Sequence, residues 1–120
     1  MSLLDRLRRR GAPRTPEEVD RLVLRQLQAR RADLTRPRHV IHVVYFAGEA
    51  QARAAAEEAE RAGWNATVEP PREPLHLWCL SADAMRVVDT TTVSGFRAWF
   101  ERLAEEHGGE YDGWEAAAKP

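Results

Sequence analysis

Three observations predict an α+β domain of the ferredoxin-like class, an antiparallel sheet with β-α-β-β-α-β order and an additional N-terminal helix. Two runs, 39–46 and 75–80, are apolar on both alternating sets and read as the central strands of a sheet. Two stretches of helix-forming composition, each closed by glycine, separate them from shorter strand-like runs at 64–69 and 111–115. In this topology the first and third strands are central, where the most apolar runs belong, and the last strand is an edge beside the first.

With 120 residues, 43 % hydrophobic and 31 % charged, the chain has the size of one independently folding domain, placed at 15–120 behind a basic tail or short helix at 1–14. Within the leader, residues 2–10 suit a short helix with Leu3, Leu4 and Leu7 on one side and Gly11 as its stop; the same pattern suits a membrane surface. The next start signal is Thr15-Pro16-Glu17-Glu18, a capping box with proline at the first helical position. Val19, Leu22, Val23 and Leu27 then form one stripe, and the helix stops before Thr35-Arg36-Pro37.

After the first strand, Glu49 to Ala62 is rich in alanine, and Ala52, Ala55, Ala56, Ala59 and Ala62 allow a helix to approach a sheet closely. The prolines at 70, 71 and 74 interrupt any ladder, so a loop connects the second and third strands. Asp89 and the threonines at 90–92 offer caps for the last helix, whose stripe is Val93, Phe96, Phe100, Leu103 and His107, with Trp99 beside it. Gly108-Gly109 ends that helix. Gly113 lies inside the final strand, where glycine signals a bulge or a close backbone approach that re-aims Trp114.

Charge divides the chain. Residues 1–38 hold eleven arginines against five acids, whereas residues 39–120 hold seven basic against fourteen acidic residues, so a net charge of −1 conceals a basic leader on an acidic body. The leader can seek nucleic acid or anionic lipid, or fold back on its own body. No apolar run approaches the ~20 residues of a transmembrane helix, and the N-terminus lacks a secretory pattern, so the expected location is cytoplasmic. One cysteine, Cys79, leaves no internal disulfide and reads as a small buried hydrophobe.

The histidines do not read as a metal site: His39 and His42 fall on opposite strand faces, His107 ends a helix, and a His42–His76 pair lacks a third ligand. Ser81, Ser94 and Cys79 have no elbow-type flank, and Gly108-Gly109 follows a helix rather than opening one. No catalytic residue, metal or cofactor is expected. RNA is the alternative partner, with Tyr45 or Phe46 and Trp78 as stacking aromatics and the leader as the electrostatic support, although the sheet lacks the basic glycine-aromatic run of RNA-recognition strands.

The run Gly108-Gly109-Glu110-Tyr111-Asp112-Gly113-Trp114 resembles the family of regulator of ribonuclease E activity B, RraB, which carries Tyr-Asp-Gly-Trp after its last helix. Ala62-Gly63-Trp64-Asn65-Ala66-Thr67-Val68 is similar to the family's helix end and second strand, and the resemblance covers residues 15–116. It implies a non-catalytic protein that binds the regulatory part of ribonuclease E and lowers its activity on RNA. The chain departs from the family in its arginine-rich leader and in reading Ala-Ala-Ala-Lys-Pro over 116–120, where family inhibitors carry a long acidic tail. The expected interaction patch is Tyr111, Asp112 and Trp114, with Trp99 and the acids Glu105, Glu106 and Glu110; its alternative is that Tyr111 and Trp114 only cover the core.

Overall fold

The computed structural model describes residues 15–29 and 35–117; the expected tail or helix over 1–14 lies outside them. The elements are α1 (Pro16–Ala29), β1 (Arg38–Phe46), α2 (Glu49–Arg61), β2 (Asn65–Glu69), β3 (Trp78–Arg86), α3 (Thr90–Glu106) and β4 (Glu110–Ala116). The strands form one antiparallel sheet in the order β2-β3-β1-β4. That is the expected ferredoxin-like order with α1 as the additional helix. Among the described residues, no helix is long and apolar enough to cross a membrane.

The helix ends are fixed by local hydrogen bonds. Thr15 N–H donates to Glu18 Oε2 and Glu18 N–H donates to Thr15 Oγ1, both at 3.2 Å, which is the capping box the sequence signals. Asp89 caps α3 in the same reciprocal way, exchanging 2.9 Å bonds with Thr92. At the far end of α3, Gly108 N–H donates to the Glu105 carbonyl at 3.3 Å and Gly109 N–H to the Ala104 carbonyl at 2.7 Å, a Schellman closure. These amides are therefore consumed by the helix. A Cβ on Gly109 would lie 2.5 Å from the Phe46 ring, so this glycine brings the start of β4 against β1.

All three helices lie on one side of the sheet. Val40, His42, Val44 and Phe46 point into that side from β1, with Leu80, Ala82 and Ala84 from β3. Three of the five predicted alanines, Ala52, Ala55 and Ala59, lie at 0 % exposure beneath the main cluster of Trp64, Phe100 and Leu103, and Ala56 packs at its edge, whereas Ala62 caps the helix end and is exposed. A second cluster joins Leu24 and Leu27 of α1 to Val40, Val88, Val93 and Trp114.

Two sequence expectations are corrected. The third strand begins at Trp78, not Leu75: Leu75 and His76 N–H groups both donate to the Arg72 carbonyl, at 3.0 and 3.2 Å, and His76 takes φ 53°, so the proline-rich segment closes on itself as a turn first. The buried face of α1 is Val19, Asp20, Leu24 and Leu27, with Leu22 only half-buried. An apolar stripe cannot announce a buried aspartate whose partners lie more than seventy residues away in the sequence.

The glycine in β4 does mark a bulge. Val44 pairs with Tyr111 and Val43 with Gly113, so Asp112 is an extra residue, and Gly113 holds φ 115°, a region other residues rarely adopt. Tyr111 and Trp114, three apart, would fall on opposite faces of a regular strand. The bulge turns both toward the helices.

Candidate interaction surface

The seven residues expected to form one patch occupy three environments. Trp114 is 3 % exposed, and its indole N–H donates to Asp20 Oδ1 at 2.9 Å inside the fold. The other oxygen of that carboxylate accepts from Arg97 Nε at 2.8 Å, and Arg97 also reaches Glu17 at 3.3 Å and Glu101 at 3.5 Å. One aspartate therefore pins α1 to both α3 and β4. A buried carboxylate is tolerated only when both oxygens are matched in this way.

Tyr111 also faces inward, where its hydroxyl and His42 Nδ1 share a 2.7 Å hydrogen bond. His42 is stacked on Phe100 with ring centroids 4.2 Å apart and meets Trp64 edge-on at 5.1 Å. Burial lowers the His42 pKa to about 3, so the ring is neutral near pH 7, and burial raises the Tyr111 phenol well above its ordinary range. Asp112 is buried at the bulge.

Trp99, Glu105 and Glu106 remain on the outer surface of α3. Trp99 and Leu103 floor a groove between α2 and α3 of about 180 Å³, with Glu58, Arg102 and Glu106 on its rim. Trp99 meets Phe100 edge-on at 4.9 Å, which anchors one edge of its ring to the core and leaves the rest half-buried. His107 Nε2 lies 2.9 Å from Glu58 Oε1, and Arg102 stands 3.9 Å from Glu106. Among the described residues Glu58, Glu106 and His107 form one group of three with ligand-type atoms within 4.8 Å of one another, yet each acid already faces a cation or an imidazole. The cluster acts as the polar rim of the groove.

Glu110 is separated from this groove, because it opposes Tyr45 on the sheet face away from the helices. The aromatics considered for RNA also divide. Phe46 is 1 % exposed and Trp78 packs against the main core cluster, so both belong to the helix side; Tyr45 alone of the three lies on the open face. His76 sits in the turn ahead of β3, and the residue opposite His42 is Ala82, so the two histidines do not meet.

The groove draws on residues that sequence reasoning did not single out. Glu58 sits on a helix whose other face is alanine, and its meeting with His107 depends on packing between α2 and α3. No local signal marks it. Asp20 and Arg97, which no sequence pattern singles out, link three elements. No curated protein matches the chain. A family model described as RraB, regulator of ribonuclease activity B, matches residues 17–116.

Proposed function

This chain belongs to the RraB family of regulators of ribonuclease activity, and we propose that it is a non-catalytic cytoplasmic module that binds a ribonuclease E-like protein by direct contact. The contact runs through the groove between α2 and α3. One observation carries this assignment: Trp99 stands half-buried over a groove with Glu58 and Glu106 on its rim, while Tyr111 and Trp114 are held within the fold. Tryptophan is among the residue types that carry most binding energy at protein interfaces, and this one is half-buried among Glu58, Arg102 and Glu106. The carboxylates, with Glu105 beside them, favour encounter with a basic segment and set its orientation. The outer carboxylates of α3 and Trp99 act together.

The test is a titration of the regulatory region of a ribonuclease E with the full chain and with a Trp99→Ala, Glu106→Lys variant. Loss of an aromatic anchor costs about 2 kcal/mol or more, so affinity should fall about thirtyfold while the variant still unfolds in one cooperative urea transition, its midpoint lowered by the lost Trp99–Phe100 packing. Equal affinities would remove the groove assignment. Absence of binding by the unaltered chain would remove the partner.

A further inference from the structure

We propose that the outer side of α1, continued by the segment that leads into β1, is a binding surface for the phosphate backbone of RNA. Residues 21–36 hold five arginines against one aspartate. The structure separates the two signs of charge on α1. Its three acids are committed to the fold: Asp20 is buried between Trp114 and Arg97, Glu17 reaches the same Arg97 at 3.3 Å, and Glu18 accepts the Thr15 N–H at 3.2 Å. Its two arginines are not. Arg21 and Arg25 are exposed, as is Arg36 in the bend before β1, and none of the three has a carboxylate partner among the described residues. Elsewhere Arg53, Arg72 and Arg97 stand 2.9, 3.2 and 2.8 Å from a carboxylate. A guanidinium with no carboxylate beside it is open to a phosphate, which its planar fork fits with two hydrogen bonds.

Spacing suits a polymer of phosphates. Arg21 and Arg25 lie one helical turn apart, with about 5–6 Å between their Cβ atoms, and one nucleic-acid strand carries a phosphate every ~3.4 Å of its axis. The pair therefore spans neighbouring phosphates. Gln28, exposed a further turn along the same side, adds an amide donor of the kind that hydrogen-bonds phosphate oxygens.

A helix that lies on a membrane keeps an apolar face for the lipid. That of α1 is already used: Leu24 and Leu27 are buried in the cluster with Val40, Val88, Val93 and Trp114, and Val19 is buried with them in the fold. Beyond its capped first turn, the described residues that α1 exposes are Arg21, Arg25, Gln26 and Gln28. Such a surface suits a polyanion in water, and in a family of ribonuclease regulators that polyanion is RNA. The surface shares no residue with the groove between α2 and α3 and does not rest on the assignment of that groove.

The experiment follows the anisotropy of a labelled oligouridylate of ~16 nucleotides, with no ribonuclease present. Three full chains are compared: the parent, an Arg21→Gln, Arg25→Gln, Arg36→Gln variant, and an Arg53→Gln, Arg61→Gln, Arg72→Gln variant of the same net charge. Glutamine forms helix about as well as arginine, so the three should unfold at similar urea midpoints. At low salt the α1 variant should bind about tenfold more weakly, and its slope of log K against log salt should be smaller by about 2, at ~0.7 for each of three phosphate contacts on a single strand. The second variant should match the parent. Equal weakening of both variants would mean net charge alone and overturns the proposal. So does parent-like binding by the α1 variant, and so does absence of binding by the parent. Capture by phosphatidylserine vesicles at a lower phosphate concentration than RNA requires, lost in the α1 variant, would give the surface to a membrane and overturns it as well.

Discussion

The two faces of β1 handle polarity in opposite ways. On the helix side, His42 is kept neutral, Tyr111 is bonded to it, and the buried carboxylate of Asp20 has each oxygen matched to a donor. On the open side, Glu69, Asp83, Glu110 and Glu115 keep their carboxylates at the edges of an apolar strip. Adjacent residues of one strand thus sit in surroundings of different dielectric character. Inside, bonded polar groups tie the elements together while His42 Nε2 is left without a hydrogen-bond partner; outside, Glu69 and Asp83 pair with Arg72 and His39 at the surface.

Trp114→Ala attacks the inner face most severely. It removes a large buried ring and strips Asp20 Oδ1 of its donor, and a loss of about 3–5 kcal/mol is expected as a lower urea midpoint. Trp114→Phe retains most of the apolar surface and isolates the hydrogen bond, at about 1–2 kcal/mol.

Acid should distinguish the faces without any truncation. Because the folded His42 pKa is about 3 against 6.5 for the free side chain, the unfolded chain binds this proton more readily. The contribution to stability is complete above pH 6.5 and declines as pH falls from 6.5 toward 3, by at most about 1.4 kcal/mol per pH unit. Urea midpoints measured across that range should slope downward in the parent and lose most of the slope in His42→Phe. An unchanged slope would assign acid sensitivity to other groups.

Val43→Thr is the smallest change. It keeps a β-branched side chain on the half-buried outer face and should alter stability by no more than about 0.5 kcal/mol, read from the same urea titration. A loss comparable to that of Trp114→Ala would show that the open face is part of the core.

The sequence disclosed the fold well because the signals for it are local. Thr15 to Glu18, the alanines of α2 and the glycines at 108, 109 and 113 act within a few residues of themselves. It disclosed the surface poorly because the surface depends on register and packing. Nothing near Asp20 indicates that it will meet Arg97 and Trp114, nothing near Glu58 indicates His107, and the acidic edges of the open face exist only once four strands are aligned. The start of β3 escaped for a related reason: Leu75-His76-Leu77 has strand composition, but the Arg72 carbonyl takes two of its amides for a turn. Even Tyr-Asp-Gly-Trp, the most distinctive tetrapeptide of the family resemblance, sets its two aromatics inside the fold.

The extra residue at Asp112 also fixes a reading frame for β4. Shortening the bulge by one residue lets Tyr111 and Trp114 keep their partners Val44 and His42 through a plain ladder, with every later pair still in phase. Lengthening it by one residue shifts the phase, sending the indole toward water and a carboxylate toward the rings, unless a second bulge absorbs the addition. The strand can therefore lose a letter at this point far more easily than it can gain one.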